Sequence, residues 1–136
     1  MKKLILNVVI ILLILSLCAC GQSQALPEGF DEGEVLAAAE KAIELVSAGD
    51  YETLFGMFSA EMSSALSPED LEAALSPVIE KLGAFKSFKA EATAGGSNEQ
   101  IGEFAIAAII CEYENGKATY TISIDEDGMV CGLYVK

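Results

Sequence analysis

The sequence predicts an α+β domain in which N-terminal helices pack on a curved antiparallel sheet of about four strands. Between residues 34 and 83, apolar side chains recur every three or four positions, a spacing typical of amphipathic helices. From Phe85 onward they alternate or run continuously, as they do in strands. Short turns with glycine separate the last segments, and short turns join antiparallel neighbours. We therefore expect helices first and the sheet second, within residues 34–136.

The helical half carries recognisable start and stop signals. Three helices are predicted, over residues 34–48, 51–62 and 68–82. Asp50 and Ser67 are the expected N-caps of the second and third helices, because short polar side chains can accept the first free backbone N–H groups. Pro77 predicts a kink in the third helix, or a break into two pieces with Ser76 as the cap of the second piece.

The sheet half contains four apolar or alternating segments. The predicted strands cover residues 85–93, 101–113, 117–124 and 129–135. The glycine-rich stretch 94–100 is predicted to be a loop. The second strand is almost wholly apolar, so we expect it to be central and covered on both faces. Asn115 and Gly116 are the expected two-residue turn that joins the second and third strands.

Two cysteines lie in these strands, and the predicted register argues against a disulfide. With a two-residue turn at Asn115 and Gly116, Cys111 lies opposite Tyr120, and with a three-residue turn that ends at Gly128, Cys131 lies opposite Ser123. Those partners point to opposite faces, and two strands separate the cysteines by about 9–10 Å. A disulfide needs α-carbons within about 7 Å. We therefore predict two free thiols that fill small apolar spaces.

The same register divides the other candidate site residues between the two faces. Tyr113, Tyr120 and Tyr134 are predicted on the helix-covered face beside Cys111, where they either line a pocket or pack as aromatic core.

The opposite face is predicted to carry an apolar patch large enough to mark a contact site. Its apolar members are Ile106, Ile110, Leu133 and Val135.

Composition excludes several classes of function. The chain has no histidine, arginine or tryptophan, so it lacks the usual proton shuttle, the commonest metal ligand and the bidentate clamp for phosphate. With 21 acidic and eight basic residues, it is also a poor match for nucleic acid. The Asp-x-Asp-Gly sequence at residues 125–128 lacks the rest of a calcium-binding loop and is predicted to be a turn. We predict no metal and no cofactor.

The N-terminus has the pattern of an export signal. Lys2 and Lys3 precede an apolar run over residues 4–17, which is too short to span a membrane. The run ends in Leu-Cys-Ala-Cys and resembles the lipobox of bacterial lipoproteins. The resemblance implies that residues 1–19 are removed and that Cys20 carries diacylglycerol and palmitate on the outer face of the cell membrane. Residues 20–33 are then a flexible tether, unless Leu26 and Phe30 dock on the domain.

The domain itself resembles a family known only as a domain of unknown function. The matching segments are Ala-Gly-Asp-Tyr-Glu at 48–52, Ala-Leu-Ser-Pro-Glu-Asp-Leu at 65–71, Leu-Gly-Ala-Phe-Lys at 82–86, and the Asp-x-Asp-Gly turn with the later Gly-Leu at 132–133. The order of helices and sheet is similar to the cystatin-like cone of nuclear-transport-factor-like domains. In the family, this domain often precedes an α/β-hydrolase, whose Gly-x-Ser-x-Gly elbow is absent from this sequence.

Three functions follow from these observations. The first is a non-catalytic binding or accessory domain held at the membrane by its lipid, with an unknown protein or small-molecule partner. The second, implied by the cone-like fold, is a small isomerase or dehydratase that uses a carboxylate and a tyrosine. The third is a homodimer or interaction module that pairs through the open sheet face, as related folds do.

Overall fold

Four helices precede a four-stranded antiparallel sheet in the computed structural model, which describes residues 24–136. The helices are α1 (Glu32–Ala48), α2 (Tyr51–Phe55), α3 (Ala60–Ala65) and α4 (Pro68–Leu82). The strands are β1 (Phe85–Asn98), β2 (Gly102–Tyr113), β3 (Gly116–Asp125) and β4 (Val130–Val135). The strands follow chain order across a curved, open sheet, so the predicted fold class is confirmed. The predicted signal peptide, Cys20 and the first residues of the tether lie outside the described residues.

N-caps explain where three helices begin, and those at Asp50 and Ser67 are the predicted ones. Asp31, Asp50 and Ser67 each accept a backbone N–H from the residue three positions ahead. Ser67 and Asp70 also form a reciprocal capping box at the start of α4. At the other end of α1, Gly49 has a left-handed conformation with φ of 73°, which glycine adopts without steric cost.

Tertiary pairing shortens the second predicted helix, which ends at Phe55 instead of continuing to residue 62. The Ser59 N–H donates to the Val130 carbonyl, and the Val130 N–H donates to the Met57 carbonyl, each over 2.8 Å. This short parallel bridge to β4 uses backbone groups that a continuous helix would need, and Ser59 then caps α3.

The third predicted helix stays in one piece. α4 runs through Pro77, which is exposed, and the predicted break with Ser76 as a cap is wrong.

β1 continues through the glycine-rich stretch that was expected to be a loop. A side chain at Gly95 would lie 2.3 Å from the Ala25 carbonyl oxygen, and one at Gly96 would lie 2.5 Å from the Phe104 ring. The two glycines therefore let the N-terminal segment and an aromatic ring approach the strand closely.

The β2–β3 turn lies one residue earlier than predicted. Glu114 and Asn115 form it, and Gly116 pairs with Tyr113. The Glu114 N–H donates to the Ala84 carbonyl and the Asn115 N–H to the carbonyl of Leu82, the last residue of α4, each over 2.8 Å, and these bonds hold the turn in place. The register consequently moves by two residues and puts Cys111 opposite Ala118, while every side chain keeps its predicted face.

A bulge in β4 changes faces as well as register. Ser123 pairs with Gly132 and Ile124 pairs with Val130, so Cys131 is the extra residue. A shift of one residue turns every later side chain to the other face. The predicted faces of Leu133, Tyr134 and Val135 are therefore wrong.

The core lies between the helices and one face of the sheet. α1 contributes Val35, Ala39, Ala42, Ile43, Leu45 and Val46 to it. In β2 the residues from Ala105 to Tyr113 alternate between buried and partly or well exposed, so the expected coverage of both faces is wrong. One face of the sheet is core, and the other is open.

Candidate functional site

Two buried tyrosines meet under α1, on the face where the sequence predicts either a pocket or an aromatic core. The hydroxyl of Tyr113 lies 2.7 Å from that of Tyr120 and 2.8 Å from Ser47 Oγ. Tyr113 is 2% exposed and Tyr120 is 0% exposed. The hydrogen bonds between the two hydroxyls and with Ser47, a partly exposed residue of α1, leave neither tyrosine hydroxyl without a partner.

Burial controls the proton affinities around this pair. Desolvation raises the pKa of Tyr120, and the hydrogen bond and charge of Tyr113 raise it further. Desolvation also raises the pKa of Tyr113, against the lowering effect of Ser47 and Tyr120. The neighbouring Cys111 thiol, 0% exposed, has its pKa raised to about 11, first by burial and then by Glu91 and Glu40. Burial therefore keeps these three groups neutral at physiological pH.

A carboxyl pair lies at the edge of this face rather than beside the tyrosines. Glu40 of α1 and Glu91 of β1 share a hydrogen bond, which raises the pKa of Glu40 with smaller contributions from burial and from the charge of Glu44. Glu91 is exposed and Glu40 is half-buried, so solvent weakens the electrostatic interaction between the two carboxyl groups.

Tyr134 does not join the other two tyrosines. It lies opposite Thr121 on the open face and is 63% exposed. Leu133 and Val135 lie opposite Ile122 and Tyr120 and pack against the core. The sequence does carry one signal for the bulge that puts these three residues on their observed faces. An isolated glycine inside a strand, here Gly132, often accompanies a bulge.

An acidic cleft of about 360 Å³ opens at the start of α1. Its carboxylates come from Asp31, Glu34, Asp125, Glu126 and Asp127. Two of them are bound to backbone, since Asp31 caps α1 and Asp125 accepts the N–H groups of Asp127 and Met129. Residues 125–128 therefore form the predicted turn, and within residues 24–136 no group of three or more acidic or cysteine side chains is placed to hold a metal ion.

The open face of the sheet, called the outer face below, combines small and apolar side chains. Its members are Ala90, Ala92, Ala94, Ile106, Ala108, Ile110, Thr119, Thr121, Ser123 and Tyr134. All of them are at least partly exposed, and Ile110 is 39% exposed. Two of the four predicted contact residues, Ile106 and Ile110, lie here, and Tyr134 takes the place of the other two.

Charge on the outer face lies toward its two ends and at Lys136, which pairs with Thr119. At the end with the β2–β3 turn, the Lys89 ammonium lies 2.6 Å from the Glu112 carboxylate. This hydrogen bond, with the charges of Lys89, Lys86 and Lys117, lowers the pKa of Glu112. The end with the other two turns carries acids, namely Glu99, Asp125, Glu126 and Asp127. The middle of the face is uncharged.

A segment at residues 24–31, called the strap below, covers part of the free edge of β1. The Gly95 N–H donates to the Gln24 carbonyl over 2.7 Å, in an antiparallel bridge. Leu26 and Phe30 pack against the core, so the structure favours the docked alternative for these two residues over a flexible tether.

No helix within residues 24–136 has both the length and the apolar character needed to cross a membrane.

Known proteins resemble this chain in sequence and in fold. The chain is similar to a solved structure described as "NMR structure of protein from Ruminococcus gnavus ATCC 29149", with 30% identity and a TM-score of 0.71. That similarity covers 84% of this chain and 99% of the other. No curated protein matches significantly. A family described as "Protein of unknown function (DUF3887)" matches residues 39–133, from α1 to β4. Because this match spans more than half of the sequence, the chain belongs to that family.

Proposed function

We propose that this chain is a lipoprotein anchored to the outer side of the cell membrane and that its domain is a non-catalytic binding module. The Leu-Cys-Ala-Cys motif after an apolar run supports the anchor on Cys20. Two acyl chains at about 0.8 kcal/mol per buried methylene would hold the protein without help from its charge. The domain is proposed to share the cystatin-like cone of nuclear-transport-factor-like proteins, given its helices followed by a curved sheet.

The observation that carries the binding role is the contrast between the two faces of the sheet. The helix-covered face is filled by the core, and its tyrosine hydroxyls bond to each other and to Ser47. The outer face is exposed, uncharged in its middle and carries a tyrosine that is 63% exposed. Exposed tyrosines of this kind are enriched among the residues that dominate protein interfaces. The outer face is therefore the surface that we assign to a partner.

The anchor is tested by metabolic labelling with a palmitate analogue in the native host. The wild-type chain should take up label and sediment with membranes. The Cys20→Ala variant should take up none and be either secreted or left uncleaved. Cys18→Ala is the matched control and should behave like wild type. Labelling that survives Cys20→Ala would contradict the proposed anchor.

The binding surface is tested by photo-crosslinking in intact cells. A photoreactive phenylalanine analogue at Tyr134 should give discrete crosslinked species, because this side chain is proposed to lie in an interface. The same analogue at Glu72, which is exposed on α4, is the matched control and should give none. Crosslinks from position 72 but not from position 134 would contradict the assignment.

A further inference from the structure

We propose that the cleft between the start of α2 and the start of α4 binds a small aliphatic diamine or polyamine. The cleft has a volume of about 310 Å³, at the lower limit for small-molecule sites. Its lining residues are Gly49, Asp50, Tyr51, Glu52, Pro68, Glu69 and Glu72. The cleft shares no residue with the outer face, so this inference goes beyond the proposed function and does not depend on it.

One buried polar side chain in the cleft lacks a partner. Tyr51 is 8% exposed, and within residues 24–136 its hydroxyl forms no hydrogen bond, unlike those of Tyr113 and Tyr120. No polar side-chain atom in this part of the chain is both sealed from solvent and unpaired. The Tyr51 hydroxyl therefore reaches solvent, and the cleft that Tyr51 lines is its route. A hydroxyl in this position can accept a hydrogen bond from a ligand.

Carboxylates of α4 lie near this hydroxyl. Burial raises the pKa of Tyr51, and the charges of Glu72 and then Glu80 raise it further. Both glutamates are exposed, and their positions are separated by about 12 Å along the helix axis. The hydroxyl is therefore influenced by negative charges at two levels of α4. This setting favours a ligand that carries positively charged N–H donors.

The remaining walls of the cleft are also acidic. Glu52 and Glu69 add exposed carboxylates. Asp50 adds less, because both of its oxygens accept hydrogen bonds from Thr53. No lysine is among the lining residues. The cleft therefore attracts cations and repels anions such as phosphate.

The arrangement of the carboxylates favours an extended organic cation over a metal ion. Among the described residues, no three acidic or cysteine side chains converge closely enough to hold a metal. An aliphatic diamine carries two separated charges, which suit carboxylates spread along α4. Its ammonium groups resemble that of lysine, whose pKa is about 10.4, so both are charged at physiological pH. One ammonium would donate to the Tyr51 oxygen and to Glu72, and the methylene chain would contact Pro68.

NMR titration with 1,4-diaminobutane at constant ionic strength tests the role of Tyr51. A chain that begins at Gly21 retains every described residue, and its wild-type form should show saturable shifts around the cleft. Tyr51→Phe removes one oxygen that no other group within residues 24–136 bonds, so it should leave the fold unchanged. It should weaken binding about tenfold or more, because a hydrogen bond to a charged donor is lost. Tyr134→Phe is the matched control and should bind like wild type.

A second pair of variants separates this site from general attraction to an acidic chain. Glu72→Gln and Glu126→Gln each remove one exposed negative charge, but only Glu72 lines this cleft. Glu72→Gln should weaken binding about threefold to fivefold, and Glu126→Gln by less than about twofold. Mg²⁺, which has the same charge as the probe, should not displace it at equal concentration.

The outcomes that would overturn the site are distinct from those that test the outer face. The site is wrong if the wild-type chain shows no saturable shifts, if Tyr51→Phe binds as tightly as wild type, or if both glutamine variants weaken binding equally. Displacement of the probe by equimolar Mg²⁺ would also overturn it. None of these results affects the crosslinking test at Tyr134. A small ligand forms no crosslinked protein species, so position 72 remains a valid control in that test.

Discussion

The two faces of the sheet differ in what covers them, although the same four strands build both. The helix-covered face carries large side chains such as Tyr120 and Ile122, each 0% exposed. The outer face carries mostly alanine, threonine and serine, with only a few large side chains. Apolar character alone therefore does not define the core of this domain. The helices define it, and the residue sizes on each face match the presence or absence of that cover.

Neighbouring isoleucines of β2 give the largest expected difference between the faces. Ile109 is 0% exposed in the core, and Ile110 is 39% exposed on the outer face. Ile109→Ala should lower the free energy of unfolding by about 2–5 kcal/mol because it leaves a cavity. Ile110→Ala should lower it by about 1 kcal/mol or less. Urea unfolding of the two variants checks this, and equal losses would contradict the division into covered and open faces.

A glycine pair tests whether the strap belongs to the covered structure. The Cβ of Gly95→Ala would lie 2.3 Å from the Ala25 carbonyl oxygen and should displace the strap. We expect a stability loss of about 1–3 kcal/mol and rapid proteolysis within residues 24–31. Gly116→Ala is the control, since its Cβ would meet only Leu82 Cδ2 at an ordinary 3.7 Å. A strap that remains protected in Gly95→Ala would show that the contact is not required.

The tyrosine pair should respond unequally to loss of its two hydroxyls. The Tyr113 hydroxyl hydrogen-bonds to both Ser47 and Tyr120, whereas within residues 24–136 the Tyr120 hydroxyl has one short hydrogen bond, to Tyr113, and a weaker interaction with Ser47 that lowers its pKa. Tyr113→Phe leaves the buried Tyr120 hydroxyl with only its weaker interaction with Ser47 and should cost about 1–3 kcal/mol. Tyr120→Phe leaves Tyr113 bonded to Ser47 and should cost about 1 kcal/mol. Thermal unfolding of both variants would reveal this order, and the reverse order would contradict the network.

Cys111 should give the smallest effect, and only at alkaline pH. Its pKa is raised from 9.0 to about 11, chiefly by burial, so the folded state favours the neutral thiol. The resulting stabilisation is complete below pH 9 and is lost as pH rises from 9 to 11. Cys111→Ala removes this contribution at every pH.

Urea unfolding at pH 8 and pH 10 measures the loss at Cys111. The wild-type chain should lose about 1 kcal/mol more than Cys111→Ala between these two values. The cavity left by the substitution is the same at both pH values and cancels from the difference. Equal losses in the two proteins would contradict a buried neutral thiol.

Local chemistry in the sequence predicts much of the fold. Asp50 and Ser67 cap helices as expected, and Ala118, Tyr120, Ile122 and Ile124 alternate toward the core. These features depend on residues that lie close together in the chain, so they form in the same way whatever the segment packs against. The fold class follows from them and is confirmed.

The errors arise where distant segments meet. The bridge between residues 57–59 and β4 interrupts a helix that is continuous in local terms. Gly95 and Gly96 lie in β1, and the strap and Phe104 approach them so closely that side chains at these positions would not fit. A single bulge at Cys131 puts Tyr134 on the outer face, where Leu133 and Val135 were predicted, and turns those two residues toward the core. Tyr113 and Tyr120 were therefore predicted on the correct, helix-covered face, whereas the position of Tyr134 on the outer face was not predicted.

The solvent exposure of Tyr134 in living cells tests the central claim most directly. Hydroxyl-radical footprinting compares the oxidation of Tyr134 in the dilute purified chain with its oxidation on intact cells, using exposed residues of α4 as the internal reference. Tyr134 should be oxidised readily in the dilute chain, where it is 63% exposed, and should be strongly protected on cells because a partner covers the outer face. Equal oxidation in both states would contradict the claim that this face is the binding surface.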